Sequence, residues 1–352
     1  MVVRNNVFGI VVFATLVLSC TTARASHILD QATSARMAGM ADIGVMLNEG
    51  DSYRHNPAVI GLPSERGSRQ AFFSISPDRN GTGRDSYAGG LAMRPSQDST
   101  SGGLKVGAAV DFAYSILDDI PTYTYGSGPD YGDDLYPIVS TFRWEDYAVG
   151  ANVALGWTGR TSFSFGAAVN WLRESIGMYE ADCWTTDLGA YLTTCLNVPG
   201  LGPNGNDRFT IGASYSNLGV DESRIGAWGL EETFKIGGAL ELYWTDDAGR
   251  KSYVMPMIER NDIGAMRVGL EMTFHSLVYL RAGHNNKDDY SYGYSSYGFS
   301  LSTLGLRKKT VSGHEAGGSL FDRIVVELHY AYNPTTKNHL DGTEYFGVGI
   351  SF

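Results

Sequence analysis

Three cysteines and 11 prolines among 352 residues are too few for a disulfide scaffold or a collagen-like rod. Charge is scarce as well, at 18% of residues, and the basic sign is the scarcer: 27 Lys and Arg against 38 Asp and Glu. A surface that holds phosphates has to be basic, so a formal net charge of -11 argues against nucleic acid as a partner. Beyond Leu18 no apolar run approaches the ~20 residues that a helical membrane span requires. Signatures of catalysis are missing too. There is no G-x-S-x-G, C-x-x-C or H-E-x-x-H motif. Gly200-Leu201-Gly202-Pro203-Asn204-Gly205 fits the dinucleotide pattern by letter only, with a proline inside it and no βαβ unit around it. Neither an enzyme nor a cofactor nor a metal site is expected.

What the chain has in plenty is glycine and aromatic residues. The 44 glycines are nearly twice the usual share of roughly 7%. With 21 Tyr and 15 Phe, and 43% hydrophobic residues, the chain is too apolar and aromatic to be disordered. Residues 1–25 read as a cleaved secretory signal: Arg4 at its start, an apolar run from Val7 to Leu18, and an A-x-A site at Ala23-Arg24-Ala25. The mature chain then begins at Ser26. Val17-Leu18-Ser19-Cys20 loosely matches a lipoprotein site, which Leu18 fits poorly, so the A-x-A site is preferred. A secreted chain without a helical span is either a soluble periplasmic protein or a β-barrel.

Alternation decides between the two. From Tyr147 to Trp157 one face is Tyr147, Val149, Ala151, Val153, Leu155 and Trp157, and the other is Ala148, Gly150, Asn152, Ala154 and Gly156. Residues 162–171 repeat the pattern, with Phe163, Phe165, Ala167, Val169 and Trp171 on one face. A period of two marks a strand, whose successive side chains point to opposite faces. A soluble sandwich would put many charges on its second face. Here that face is Gly, Ala, Ser and Asn, which suits a barrel lumen. Strands of about ten residues with aromatic ends fit an outer-membrane barrel and its aromatic girdles.

Thirteen strands are predicted, near 69–77, 86–95, 103–114, 144–157, 161–175, 208–218, 232–245, 250–258, 265–274, 277–284, 296–306, 322–332 and 343–352. Single-chain bacterial barrels take an even number. A fourteenth strand at 187–194 restores parity and puts the turns 158–160, 246–249 and 275–276 on the periplasmic side. Segments 115–143, 176–186 and 285–295 become extracellular loops. A strand at 187–194 would hold the Cα atoms of Cys183 and Cys195 roughly 30 Å or more apart, beyond the reach of a disulfide. Strand and disulfide exclude each other, and the strand is preferred. Residues 26–68 lack the alternation and are rich in small residues, so they are expected to form an N-terminal hatch or plug in the barrel of residues 69–352.

Several local motifs carry a family resemblance. Ser34-Ala35-Arg36-Met37-Ala38-Gly39-Met40-Ala41, followed by His55-Asn56-Pro57-Ala58, resembles the start of barrels in the FadL-like superfamily, particularly its PorV-like branch. Asp187-Leu188-Gly189-Ala190, Ser216-Asn217-Leu218-Gly219, Val268-Gly269-Leu270-Glu271 with Leu280-Arg281-Ala282-Gly283-His284, and His329-Tyr330-Ala331-Tyr332-Asn333-Pro334 resemble later segments of that branch, in order. His55 and His329 depart from the branch's pattern. The resemblance implies a fourteen-stranded outer-membrane barrel with a hatch shaped by Asn56, Pro57 and Ala58. It implies passive transport of small hydrophobic, fatty-acid-like compounds or, as the alternative, a secretion-system shuttle that binds secreted proteins at the cell surface. The expected surroundings are outer-membrane lipid, and the barrel is expected to be monomeric.

Alternation also places charges. Lys105, Lys235, Arg267, Arg281 and Arg323 should face the lumen against Asp111, Glu241, Glu271 and Glu327, with His329 nearby. An ion-selective pore would show a ring of one sign. Five against four is close to balanced, so the set is read as a paired network bracing barrel and plug. Tyr290, Tyr292, Tyr294 and Tyr297 form an extracellular aromatic loop, read as the upper aromatic girdle in preference to a cap over a hydrophobic entry or a partner surface. Asp118, Asp119, Asp130, Asp133 and Asp134 match no EF-hand spacing and are read as a solvated loop.

Overall fold

The computed structural model describes residues 34–48, 52–77, 84–96, 103–123, 138–196, 207–219, 232–246, 250–262, 264–286, 293–306, 324–334 and 342–352. The signal segment, Cys20 and Ser26 lie outside them. Among the described residues there are fourteen strands: β1 (Arg69–Ser76), β2 (Arg84–Met93), β3 (Leu104–Tyr123), β4 (Ile138–Trp157), β5 (Thr161–Ile176), β6 (Tyr179–Leu196) and β7 (Asp207–Leu218). They continue with β8 (Thr233–Thr245), β9 (Lys251–Asn261), β10 (Met266–Phe274), β11 (Val278–Asn286), β12 (Tyr294–Ser302), β13 (Val325–Asn333) and β14 (Thr343–Ser351). Each pairs antiparallel with its neighbours in sequence, and β1 pairs with β14 from Gln70↔Ser351 to Ile75↔Phe346. Closure leaves no edge strand to template aggregation. Arg69 and Phe352 exchange both main-chain hydrogen bonds at 3.0 Å, so the final Phe locks the seam. Gly67 makes the sharp entry into β1 with φ +143, pressed against the main chain of Phe352.

The barrel is inside out. On β5, Phe165 is 61% exposed while its neighbour Ser164 is fully buried. Leu91, Val106, Val153, Leu328 and Ile350 are exposed in the same way on other strands. An apolar band of this extent needs lipid, and a closed barrel satisfies its backbone groups internally. The chain is a transmembrane antiparallel β-barrel. Tyr87, Tyr114 and Tyr147, cross-strand partners on β2, β3 and β4, stack with ring centroids 5.9 and 4.7 Å apart at one border of the band. Trp157 and Phe163 stack 5.4 Å apart at the other.

Both ends of the wall, Arg69 and Phe352, lie at one end of the barrel, called here the terminal end. The turns 158–160, 246–250 and 275–277 lie there too, as the parity argument requires. The extra strand is much longer than 187–194. β6 begins at Tyr179, paired with Ile176 across a two-residue turn in which Gly177 takes φ +59. Segment 176–186 is therefore strand and not an extracellular loop. Its outward face carries Glu180 and Asp182 beyond the apolar band, which hides the alternation. Cys183 and Cys195 both lie on β6 and are free. Likewise β3 and β4 extend to Tyr123 and Ile138, so the predicted loop 115–143 shrinks to residues outside the described set. The predicted strand 296–306 stops at Ser302 and continues as a 3₁₀ turn, Thr303–Leu306.

Residues 34–48 and 52–66 lie inside the barrel. They include a single helical turn, α1 (Ala35–Ala38), and 3₁₀ turns at Ser52–Arg54 and Pro57–Gly61. The molecule's core sits between this plug and the wall, with Met37, Met40, Ile43, Tyr53 and Ile60 at most 1% exposed. The glycine excess has its explanation here. At Gly107, Gly156, Gly166, Gly189, Gly212 and Gly283, on six strands, an added Cβ would overlap the plug, mostly its main chain. Bare backbone on the wall lets bare backbone of the plug approach.

Candidate functional site: the plug and the space beneath it

Asn56 ties three parts of the molecule together. Its Oδ1 accepts from the Ala58 N–H at 3.1 Å, capping the 3₁₀ turn that Pro57 opens. Its Nδ2 donates to Val45 O (2.8 Å) in the other half of the plug and to Ala190 O (3.0 Å) on β6. Pro57 and Ala58 lie against Gly166 and Gly189, and Ser164 Oγ donates to Ala58 O at 2.7 Å. The predicted hatch residues thus form an anchor between plug and wall.

Of the charges expected in the lumen, Glu271, Glu327 and Asp111 meet arginines of the plug. Glu271, fully buried, accepts from Arg36 Nε (3.0 Å) and Nη2 (2.7 Å) of the plug, from Arg281 Nε (2.6 Å) and from the Tyr253 hydroxyl (2.5 Å). Glu259 accepts from the plug N–H groups of Gly44 (2.9 Å) and Val45 (3.0 Å) and from Arg267 Nη1 (2.8 Å). Glu327 pairs with Arg66. Asp111 lies 3.8 Å from Arg54 Nε and accepts from Asn152 at 2.8 Å. Burial, then the nearby charges of Lys235, Arg54 and Arg267, hold the His55 imidazole well below its ordinary pKa, so it is neutral in the plug. His329 is hydrogen-bonded to Ser300 Oγ at 2.6 Å. Lys105 is half-buried near the terminal end.

Sequence reading missed Glu259 because the predicted strand stopped at 258. The alternation that places Met255 and Met257 inward continues to Glu259 and would have found it. It also missed Arg36, Arg54, Glu65 and Arg66, since a segment without periodicity offers no rule for where its charges point. The aromatic loop needs correction: Tyr294 and Tyr297 belong to β12 and face opposite sides. Tyr297 is 52% exposed on the lipid side, while the Tyr294 hydroxyl turns inward and donates to Asp42 of the plug. Tyr290, Tyr292 and Arg323 lie outside the described residues.

Beneath the plug, at the terminal end, is a cavity of about 270 Å³. Its walls include Met46 and Leu62 of the plug, the rings of Tyr191 and Tyr243, and the inward side chains of Glu241 and Met255. Glu65 crosses it, bonded to Lys251 Nζ on β9 (2.6 Å) and Arg208 Nη2 on β7 (3.2 Å). The ladder beside the cavity is interrupted. β8 and β9 pair from Lys235↔Asn261 to Ala239↔Met257 and again from Leu242↔Val254 to Thr245↔Lys251, but Leu240 and Glu241 do not pair with Pro256 and Met255. Pro256 has no N–H to give, and a proline in a central strand interrupts its ladder. Its other side stays paired, with Leu270 of β10.

Burial by itself raises the Glu65 carboxyl, and Lys251 and Arg208 more than reverse this, leaving it below the ordinary carboxylate value. A carboxyl depressed by folding stabilises fully above its unfolded pKa, about 4.3 for Glu, and that contribution is lost as pH falls through the folded value. Glu65→Gln should therefore melt a few degrees below the native protein at pH 7. The shift is modest because the carboxylate is 32% exposed. The gap should close as the solution is acidified below about pH 4, the ordinary range of the group. A gap that stays constant into acid would show that the ion pairs do not strap the plug.

No family model matches the chain, and no curated protein matches it significantly. Solved structures do. A deletion mutant of the monoaromatic hydrocarbon channel TodX shares 9% identity, over 90% of this chain and 97% of that one, with a TM-score of 0.47. The toluene transporter TbuX of Ralstonia pickettii shares 10%, over 92% and 98%, with a TM-score of 0.44. The β domain of the Bordetella autotransporter BrkA shares 12%, over 82% and 99%, with a TM-score of 0.34. None of these likenesses is close enough to assign the chain to a family.

Proposed function

We propose that this barrel sits in a bacterial outer membrane, terminal end toward the periplasm, and lets small hydrophobic molecules cross passively. The observation that carries the reading is the lapse in the β8–β9 ladder at Pro256, which borders the cavity directly beneath the plug. The plug packs against bare glycine backbone across the middle of the lumen, an arrangement poorly suited to a wide aqueous channel. A wall seam between lipid and cavity suits an apolar solute, which can leave sideways without meeting the periplasmic water. The FadL-like sequence motifs support the same reading.

The test is toluene uptake by Gram-negative host cells making the native chain or Pro256→Val, since a lipopolysaccharide leaflet bars such solutes and a phospholipid bilayer does not. Valine restores the missing N–H and suits a strand. Uptake should fall to the level of cells without the protein while barrel assembly is unchanged. Native uptake no faster than that of cells without the barrel would reject transport, and a seam-closed variant as fast as native would reject the lateral route. Co-purification of a secreted protein with a transport-silent barrel would favour the shuttle.

A further inference from the structure

We infer that the free edge of β6 binds an extended, basic segment of another protein, which joins the sheet as an added antiparallel strand. Barrel closure removes an edge only where a strand has both of its neighbours, and β6 outgrows one of them. On one side it pairs with β5 all the way to Tyr179. On the other, its pairing with β7 ends at Thr186↔Leu218. Asn217 at φ +66 and Gly219 at φ +82 turn the chain off the sheet there, and Asp187 Oδ1 accepts from the Asn217 N–H at 2.8 Å, which fixes the turn. Residues 179–185 of β6 are left with no strand on that side among the described residues, a run as long as an ordinary strand. The site lies opposite the terminal end, so its place outside the cell rests on the orientation proposed above. The edge itself does not.

The register tells which groups are free. Cys195 N–H donates to Arg160 O, and β5 and β6 stay in step from there to the turn at Ile176↔Tyr179. Main-chain bonds alternate between the two sides of an antiparallel strand. Glu180, Asp182 and Trp184 therefore turn their N–H and C=O groups to the open side, and their side chains are exposed on the outer face. A strand seated there gains main-chain hydrogen bonds from the edge and specificity from these three side chains. Exposed Trp184 calls for an apolar neighbour, and Met178 and Tyr179 at the hairpin tip, 93% and 80% exposed, extend the apolar contact. Glu180 and Asp182 share one cation: Arg173 bonds Glu180 at 2.6 Å and stands directly across from Asp182. One negative charge is left over, and opposite charges across a sheet attract. The matching strand has an apolar residue followed, at every second position, by two cations. A second copy pairing antiparallel along the whole free run would set Asp182 against Asp182 of that copy, and like charges so placed repel. The carboxylates keep self-pairing off and admit a basic strand.

The experiment is titration of the purified full-length barrel in detergent with a fluorescent, end-capped peptide, TVTKTKT, followed by anisotropy. Hydrogen–deuterium exchange of β6 is the second readout. The peptide should bind and should protect the amides of Glu180, Asp182 and Trp184. A copy N-methylated at its valine and both lysines cannot donate to the edge and should not bind. Glutamates in place of the lysines should weaken binding about tenfold or more, and Asp182→Lys about three- to tenfold, the effect of reversing cross-strand charge pairs. Asp182 lies on an exposed face, and heat-dependent gel mobility checks that the variant barrel is intact. Equal binding of the N-methylated peptide, no protection of the three amides, or an Asp182→Lys barrel that binds like native would overturn the inference. So would a native barrel that is a dimer by mass spectrometry with these amides already protected. Peptide bound by the purified barrel but not by intact cells would reject the orientation and leave the edge standing. Peptide bound by a barrel that takes up no toluene would reject transport alone.

Discussion

Glu271→Ala is expected to cost about 3–5 kcal/mol, the usual penalty for removing one partner from a buried ion pair. Glu271 is fully buried between Arg36 of the plug and Arg281 of the wall, and both guanidinium groups are at most 6% exposed. Without the carboxylate, two positive charges face each other away from water. The cheapest relief is for Arg36 to leave, taking α1 and the first half of the plug with it. Thermal melting should show the loss of stability. Planar-bilayer recording should show ion conductance where the native barrel is silent. Arg36→Ala should be milder, because Glu271 keeps Arg281 and the Tyr253 hydroxyl. Replacing Arg36, Glu271 and Arg281 together by Met, Leu and Met should recover most of the stability, since buried ion networks often lose little to apolar groups of like volume. A Glu271→Ala barrel that melts like native and stays silent would mean that the network does not hold the plug.

Gly166→Val should have the second large effect. A Cβ there would overlap the main chain at Pro57–Ala58, and main chain cannot swing aside as a side chain can. Asn56, which ties this stretch to Val45 and Ala190, would be displaced with it. The expected result is an unseated plug and an ion-conducting barrel, with the wall intact, because valine is at home in a strand. Gly347→Ala is the control: the nearest atoms to its added Cβ are 3.5 Å away, an ordinary contact, so plug and conductance should not change. If both variants behave alike, the glycine-lined contact does not seat the plug.

These two residues also show how far the sequence could be read. That Glu271 and Arg281 point into the lumen followed from alternation alone. That Arg36 completes the site did not, although it stands in the same motif as the glycines that suggested a plug. It lies 235 positions from Glu271, and no local pattern links them. The strand count came from parity, while strand ends were misjudged where strands leave the lipid. There the outward face turns polar, as at Glu180 and Asp182, and hydrophobic alternation no longer reports pairing. The same shortfall hid Glu259, and it left Tyr294 outside the predicted strand.

The sequence by itself determined the class of fold and the direction faced by the residues in the middle of most strands. Those follow from a period of two, which is a local property of extended backbone. Only the tertiary structure decided which charges meet, where the plug touches bare backbone and which ladder of the wall is interrupted. Closure of the barrel brings together residues hundreds of positions apart, and a proline such as Pro256 interrupts the one ladder that its nitrogen happens to face.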